Sequence, residues 1–459
     1  MCSLETAGNE KTNGHAVGIS AANASRTALF LIAVALPAIL AFGVLYRNRL
    51  AVPYQDDYNV ILSFASDYQQ LSTVKSKLLE IATKQTNDYK LGFEHLIIAL
   101  EMEFTGHLNF GFLVTVGDLF LLPIVYLLWL TYQTDDRSLA QRLMEFVLIS
   151  ALFFSLTYWE TLNWAMAGLT NLPVILFALL AIWLLIPKGP SVPSRALLFL
   201  SCLSAMLSAF SSANGFLLAP VGALILLRRR TFMDCLIWCA SFALPLACYL
   251  YHYTPYVYSV HMVHRFDVSK LLIYFLAVLG CVIPVQWAAA LLGLLILAII
   301  AVAVRSRFDR TNPPAFYFTV WILGTALVIA LLRGPSASRY SIYSIFLLIF
   351  CYAFLREYLP NHSRFWNPKR LYSASVVLAM VFCVCGNVRA YRYLGARRRM
   401  VLSGIEHYRS NPGLNSPMVD PQVRKMFPEE EAFEQAKLTE AIQQHIYTLP
   451  SPLGSATRQ

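Results

Sequence analysis

The stretch TALFLIAVALPAILAFGVLY, residues 27–46, contains 20 residues without a charge and decides the fold class. A helix needs about 20 apolar residues to cross the hydrocarbon core of a bilayer, and lipid offers the backbone no hydrogen-bond partners, so such a run must be helical. The polar segment 1–26 precedes the run, and no small-residue cleavage site follows it. We therefore interpret the run as an uncleaved signal anchor with a cytoplasmic amino-terminal segment.

The rest of the chain repeats this pattern. Ten further apolar runs lie near residues 107–131, 145–159, 169–187, 196–213, 215–227, 235–253, 286–304, 315–332, 341–355 and 371–387. With 57% hydrophobic residues, 14% charged residues and a mean hydropathy of +0.55, the chain is too apolar for a water-soluble core. The sequence predicts an all-α, polytopic transmembrane bundle of about 11 spans, within a range of 10 to 12.

The distribution of basic residues predicts the topology. A net charge of +10 would otherwise suggest a nucleic-acid partner, but Lys and Arg concentrate in the short connections between spans. The connections 133–144, 188–195 and 228–234 are basic, whereas 160–168 and 211–215 carry no basic residue. This asymmetry places the basic connections in the cytoplasm and excludes a nucleic-acid partner, because these cations instead meet the headgroups of membrane lipid.

The topology of the second half depends on residues 271–304, which form either one span or two spans around Pro284. The arginines of the later connections balance under both alternatives, so the charge rule does not separate them. Residues 271–285 number only 15, fewer than a bilayer requires. Length therefore favours eleven spans and a carboxyl terminus outside.

Three regions follow from these assignments. They are a cytoplasmic segment 1–26, a transmembrane domain 27–387, and an extramembrane tail 388–459. The first outer loop, 47–106, contains amphipathic stretches that predict helices lying along the membrane surface. The tail has a helix signal from Pro428, with an apolar stripe of Leu438, Ile442 and Ile446. We expect the tail and the first loop to lie on the same side.

The segment PYQDDYNVI, residues 53–61, places adjacent carboxylates Asp56 and Asp57 just beyond the first span. One interpretation is structural, because Asp commonly caps a helix such as the one predicted to begin at Tyr58. The other is functional, since a carboxylate at the interface could take a proton from a hydroxyl group or hold a divalent cation. The residues alone leave both interpretations open.

Three further polar segments face the same side. In GFEHLIIALEMEF, residues 92–104, Glu94 and His95 are either interfacial residues or a proton carrier and a phosphate partner. In YWETLNWAMAGLTN, residues 158–171, Glu160 and Asn163 either finish a helix or bind sugar hydroxyls beside aromatic rings. Asn214 belongs to the hairpin SSANG and is first of all a turn residue.

Positive charge on this side comes from two later segments. The segment 256–270 contains His261, His264 and Arg265, and the segment RGPSASRYSIY, residues 333–343, contains Arg339 and Tyr340. Two His residues three positions apart are a weak metal signal, so we favour phosphate binding over metal binding. The alternative for the arginines of residues 333–343 is snorkelling to lipid headgroups.

Asp118 lies near the middle of the second predicted span, where an ionised acid is costly. We predict a buried structural partner for it, and a proton path is the alternative.

The order of PYQDDY, FEH, ETLNWAMAG, ANGFLLAP and SRY along residues 27–387 resembles the GT-C superfamily of integral-membrane glycosyltransferases. The resemblance implies a polyprenyl-phosphate-linked sugar donor, a glycan or glycolipid acceptor of the cell envelope, such as lipopolysaccharide, and a bacterial inner membrane. An acid of the first outer loop is catalytic or metal-associated in that family, which points to Asp57 or Asp56 and leaves room for Mg²⁺ or Mn²⁺. Phe93 stands where similar bacterial proteins carry Asn.

The resemblance implies a single displacement with Asp57 as the favoured general base. Arg339, assisted by Arg265 or His264, would hold the departing polyprenyl phosphate. Two other classes share parts of this layout: a lipid or solute transporter (a flippase), and a polymerase or ligase of lipid-linked glycans. The internal repeats typical of transporters are missing from the sequence, and apart from Asp118 so are the midplane polar groups.

Overall fold

The computed structural model describes residues 21–133, 137–186, 194–255, 267–333, 338–362, 368–410 and 428–450. Within these residues the chain is helical, and the only β-type contacts are two isolated bridges, Thr86 with Tyr89 and Leu108 with Tyr447. The predicted all-α class is confirmed.

The helices are numbered in chain order. They are α1 Ala21–Asn48, α2 Ser63–Gln69, α3 Val74–Thr83, α4 Gly92–Thr105, α5 Phe110–Leu119, α6 Leu121–Tyr132, α7 Leu139–Phe153, α8 Trp159–Asn163, α9 Ala165–Leu185, α10 Arg195–Ser211, α11 Leu218–Arg228, α12 Phe232–Ser241, α13 Ala243–Leu250, α14 Val268–Leu279, α15 Gln286–Arg305, α16 Phe308–Thr311, α17 Pro313–Arg333, α18 Ser341–His362, α19 Pro368–Ser410 and α20 Pro428–Gln443. A π-helical turn, Tyr58–Leu62, leads into α2, and 3₁₀ turns lie at Leu156–Tyr158, Ala213–Leu217 and Ser338–Tyr340.

Nine helical stretches of the described chain are long and apolar enough to cross a membrane. They are Ala24–Asn48, Phe110–Tyr132, Leu139–Asn163, Ala165–Leu185, Phe232–Leu250, Gln286–Arg305, Pro313–Arg333, Ser338–Tyr358 and Val376–Glu406. Each overlaps one of the predicted apolar runs. Two more predicted runs, 196–213 and 215–227, form the shorter apolar helices Arg195–Ser211 and Ala213–Arg228. The protein is therefore a multi-pass membrane protein.

The segment 271–304 forms a short helix followed by a long one. Helix α14 has 12 residues, about 18 Å at 1.5 Å per residue, and is too short to cross the hydrocarbon core. Its carboxyl end meets the start of α18, because Ser344 Oγ donates to the Leu279 carbonyl (2.6 Å) and Ser341 Oγ to the Cys281 carbonyl (3.0 Å). This arrangement agrees with a single span at α15, preceded by a partly inserted helix.

Two glycines allow α14 and α15 to pack backbone against backbone. A Cβ on Gly280 would lie 2.1 Å from the Ala289 carbonyl oxygen, and a Cβ on Gly293 would lie 2.0 Å from the Leu276 carbonyl oxygen. The pairing of 280 with 289 and of 276 with 293 runs in opposite directions, so the two helices are antiparallel. No larger residue fits at either crossing point.

The extramembrane layer consists of the first loop and the tail. Helix α19 continues unbroken for 43 residues, so the predicted boundary at residue 388 lies inside it rather than at its end. The tail then contacts the first loop: the Leu108 N–H donates to the Ile446 carbonyl (2.7 Å), and Tyr447 Oη donates to the Ala51 carbonyl (2.8 Å). The tail and the first loop therefore lie on one side of the bundle, which we name the loop side.

The structure has two hydrophobic cores. The larger lies among the spanning helices, and the smaller lies under the first loop and combines Tyr58, Phe64, Phe110 and Trp164 with the tail. Within the predicted apolar stripe of the tail, Leu438 and Ile446 are fully buried, and Ile442 packs against the smaller core. The apolar residues that remain exposed on α1, α12, α15 and α19 would face lipid.

We predict that Gly293→Ala destabilises the protein by about 1–3 kcal/mol, because the added methyl forces two packed backbones apart. Thermal unfolding of the purified protein in detergent measures the effect. Gly43→Ala is the matched control, since a Cβ there meets no atom within 4 Å. Equal unfolding temperatures for the two variants would contradict the close packing of α14 on α15.

Candidate functional site

Asp57 is the most completely bonded carboxylate of the first loop. Its Oδ2 accepts a hydrogen bond from the Tyr54 N–H (2.9 Å), and its Oδ1 accepts from Trp164 Nε1 (2.9 Å) and from the Met166 N–H (3.0 Å). Only 1% of the residue is exposed. The helix predicted at Tyr58 is present, but the Asp57 side chain does not cap it. The carboxylate is instead bonded to two separate segments of the chain.

A buried arginine completes this network. Arg397 Nη1 donates to the carbonyl and to Oδ1 (3.0 Å) of Asn163, and its guanidinium lies 3.8 Å from the centre of the Tyr54 ring. Burial raises the pKa of Asp57 to about 7, against the opposing effects of the three N–H donors and of Arg397. Asn163, predicted to bind sugar, is therefore occupied in holding Arg397. Arg397 was not among the predicted site residues, because its only signal in the sequence is its place in an arginine-rich stretch.

Asp56 has the opposite environment. It is partly exposed, and within the described chain no side chain donates a hydrogen bond to its carboxylate. Burial raises the pKa of Asp56, whereas the Arg339 and Arg333 guanidinium groups lower it. The phenol of Tyr89 interacts electrostatically with Asp56, with Tyr340 and with both arginines. We name these five residues the Asp56 cluster.

The two arginines of the cluster are held by aromatic rings. The Arg339 guanidinium carbon lies 5.3 Å from the centre of the Trp164 ring and 5.2 Å from that of Tyr340. Arg333 lies 4.7 Å from the centre of the Tyr89 ring, and its Nη2 is 3.8 Å from Asp88 Oδ2. Both guanidinium groups are oriented, and although Arg339 also hydrogen-bonds to Tyr340, a guanidinium has five N–H donors, which leaves several for an anion.

Glu160 fixes the backbone of this region. Its Oε2 accepts from the Arg339 N–H (3.0 Å), and Thr161 Oγ1 donates to the Arg339 carbonyl (2.9 Å). Helix α8 therefore holds the 3₁₀ turn that carries Arg339 and Tyr340. The predicted substrate residue Glu160 has at least one structural contact here.

Glu94 and His95 differ in position. Glu94 is fully buried, with Oε2 accepting from Thr170 Oγ1 (2.8 Å) and with no partner for Oε1 among the described residues. Burial raises the pKa of Glu94 well above its ordinary value. His95 stacks on Phe64, with ring centres 4.3 Å apart, and its Nδ1 meets the Ile81 carbonyl (3.3 Å). His95 therefore packs α4 against α2 and α3, and the predicted roles as proton carrier or phosphate partner do not fit this position.

Asn214 joins the turn between α10 and α11 to α18. Its Nδ2 donates to Tyr343 Oη (3.1 Å), and its carbonyl accepts from Trp321 Nε1 (3.1 Å). The predicted turn is confirmed, since a 3₁₀ turn begins at Ala213. Asn214 Oδ1 is buried without a partner among the described residues.

Three predicted site residues, His261, His264 and Arg265, lie outside the described residues, so their role remains a prediction. Among the residues that the structure describes, no group of three or more His, Cys, Asp or Glu residues could hold a metal ion. The guanidinium groups beside Asp56 would repel a divalent cation. Asp118 is buried, and the charge of the Arg49 guanidinium acts on it, but no described side chain donates a hydrogen bond to its carboxylate, so its structural partner stays a prediction.

Two cavities open on the loop side of the described chain, and neither is lined by Asp56 or Asp57. One, of about 150 Å³, lies between α18 and α19 and is bounded by Trp159, Ser338, Arg389 and Tyr393. The other, of about 200 Å³, lies between the end of α1 and α19.

Comparison with known proteins gives no relative: the chain matches no family model, no curated protein and no solved structure. The resemblance to the GT-C superfamily therefore rests on the order of motifs in the sequence alone.

The preference for Asp57 as the reactive carboxylate does not fit this geometry. Its two oxygens accept three of the roughly four hydrogen bonds that a carboxylate can take, and only 1% of the residue is exposed, so a substrate hydroxyl has little access to it. Asp56 is the better candidate, because the residue is partly exposed, no described side chain donates to its carboxylate, and two guanidinium groups act on it.

We predict that Asp57→Asn is destabilising, because the new amide N–H₂ must face one of the N–H donors and leave it unsatisfied, at a cost of about 1–3 kcal/mol. Asp56→Asn is the matched control and should unfold at nearly the wild-type temperature. Thermal unfolding in detergent compares the two, and a larger loss for Asp56→Asn would reverse the assignment.

A second prediction concerns acid sensitivity. Burial lowers the pKa of His95 from 6.5 to about 3, so below pH 6.5 the unfolded chain binds a proton that the folded protein does not. The stability contributed by neutral His95 is complete above pH 6.5 and falls by about 2 kcal/mol by pH 5.

His95→Phe, which retains the stacking on Phe64, should flatten this part of the dependence of the unfolding temperature on pH. His107→Gln changes an exposed histidine and serves as the control. An unchanged slope in His95→Phe would show that His95 already binds a proton in the folded state.

Proposed function

We propose that the protein is a GT-C type membrane glycosyltransferase of the cell (inner) membrane, which transfers a sugar from a polyprenyl-phosphate donor to a lipid-linked or cell-envelope glycan. The observation that supports this proposal is the Asp56 cluster, in which a partly exposed aspartate lies near two guanidinium groups on the loop side of a multi-pass bundle. A base and an anion-binding pair at a membrane surface are the groups that this transfer requires.

The reaction proposed is a single displacement. The acceptor hydroxyl oxygen attacks the anomeric carbon, the bond from that carbon to the phosphate oxygen breaks, and the hydroxyl proton passes to the Asp56 carboxylate. The pKa of Asp56, raised by burial, makes it a stronger base than an exposed aspartate. Polyprenyl phosphate departs with its negative charge, so no co-reactant is needed.

Arg339 and Arg333 would bind the phosphate of the donor. A guanidinium group donates two parallel hydrogen bonds to phosphate, and its charge stabilises the departing anion more than it stabilises the bound diester. Trp164 and Tyr340 hold Arg339 in place, and Tyr89 with Asp88 holds Arg333. The lipid tail of the donor would then lie along the apolar surface of the spanning helices.

The transporter alternative has less support. A transporter typically gathers polar groups at the bilayer midplane, between broken helices. Here Asp56 follows the first span and Tyr89 precedes the second. Arg333 is the last residue of α17, and Arg339 and Tyr340 lie directly before α18. The polar groups thus collect at the ends of the spans, where a headgroup and a water-soluble acceptor meet.

We predict that Asp56→Asn lowers kcat by about 10²–10⁴-fold, the range expected for loss of a general base. The assay uses purified protein, a radiolabelled polyprenyl-phosphate sugar and cell-envelope glycolipid as the acceptor. Asp67→Asn is the matched control, because Asp67 lies in the same loop and pairs with Lys84 away from the cluster. Arg339→Lys should mainly raise the KM for the donor, since the ammonium cannot bind phosphate in bidentate fashion.

Two outcomes would reject the proposal. Full activity of Asp56→Asn would remove the base from the mechanism. Uptake of the labelled lipid into vesicles by wild-type protein, without formation of a glycan product, would indicate transport instead.

A further inference from the structure

The cavity between the end of α1 and α19 is lined by three guanidinium groups. Arg49 follows the first span, and Arg398 and Arg409 come from α19. Glu406 is the single carboxylate of the lining among the described residues, and Leu402 and Ile405 form part of the apolar wall. The lining therefore carries two positive charges in excess within about 200 Å³.

Each arginine is oriented by one hydrogen bond and keeps other donors available. Arg49 Nη1 donates to Thr115 Oγ1 (2.6 Å), Arg398 Nη1 donates to the Arg47 carbonyl, and Arg409 Nη2 donates to the Pro450 carbonyl. All three acceptors are uncharged, so these bonds position the guanidinium groups without neutralising them, and Arg49 in addition interacts with the buried Asp118 carboxylate. A guanidinium has five N–H donors, which leaves several in each group for a ligand.

Convergence of three partly buried cations is unfavourable unless an anion joins them. Arg49, Arg398 and Arg409 are all half-buried, where like charges repel more strongly than in water. The oxygens of a phosphate match the geometry of a guanidinium group and accept several charge-assisted hydrogen bonds. An anion of this kind would offset the repulsion.

The position of the cavity indicates where the anion comes from. The lipid-facing helix α1 ends at Asn48, and the exposed Tyr46 lies beneath the Arg49 guanidinium, 5.1 Å from it. An exposed tyrosine at the end of a span marks the headgroup level of a bilayer. The three arginines therefore lie where the phosphates of membrane lipids lie.

We propose that this cavity binds the phosphate of an anionic membrane lipid. It shares no residue with the Asp56 cluster, and the inference does not depend on the proposed glycosyltransferase activity. Binding at this position would join α1, α19 and the carboxyl-terminal segment through one headgroup.

The test is native mass spectrometry of the purified full-length protein in detergent with equal amounts of phosphatidylglycerol and phosphatidylcholine. Wild type should retain phosphatidylglycerol preferentially. Replacing Arg398 and Arg409 together by Gln should reduce that retention by at least about tenfold, since each lost charge-assisted bond is worth 1.4 kcal/mol or more. The matched control replaces Arg392 and Arg399, which are exposed on the same helix outside the cavity.

Leu402→Glu provides a second variant that keeps all three arginines and places a carboxylate at the cavity wall. It should also lose phosphatidylglycerol while still unfolding cooperatively in lipid-free detergent, although the loss of the Leu402 packing lowers the unfolding temperature. Equal retention in the cavity and control variants, or retention of both lipids alike, would overturn the proposal. Displacement of phosphatidylglycerol by millimolar inorganic phosphate would assign the cavity to a soluble anion and overturn the lipid assignment.

Discussion

The buried carboxylate of Asp57 is the interaction on which the extramembrane layer depends. An ionised carboxylate is costly to bury unless donors and a counter-charge surround it. Here Tyr54, Trp164 and Met166 supply the N–H donors, and Arg397 supplies the positive charge. These partners come from the first loop, from the amino-terminal end of α9 and from α19, so one side chain connects three distant segments.

The position of Asp56 follows from that of Asp57. Neighbouring residues in a helical turn point in directions about 100° apart, so an Asp57 directed into the protein leaves Asp56 directed elsewhere. Trp164 connects the two, because its Nε1 bonds Asp57 while its ring carries the Arg339 guanidinium. The buried network therefore sets the distance between the accessible carboxylate and its cations, which no local feature of the first loop could fix.

The sequence predicted the spans well because span length is a local property, readable from each apolar run. It also singled out the segments of Asp56 and Arg339, which the structure brings together, because residue composition is equally local. It did not distinguish Asp56 from Asp57, because that distinction depends on Trp164 and Met166, more than 100 residues away. Arg397 was missed since nothing near it in the chain indicates Tyr54 or Asn163. The length of α19 was underestimated, because a helix can leave the membrane without any change in its local signal.

The arginines of the later connections are balanced between the two possible topologies, and the contacts described above explain why. The rule counts arginines as if each were free to interact with lipid and the insertion machinery. Several arginines of the late connections instead bind the protein: Arg333 meets Asp88, Arg339 stacks on Trp164, Arg397 bonds Asn163 and Arg398 bonds the Arg47 carbonyl. The number of arginines on the loop side therefore reflects these contacts within the protein and does not indicate how the protein is oriented in the membrane. A multi-pass protein that builds a cationic site at one surface should therefore weaken its own positive-inside signal.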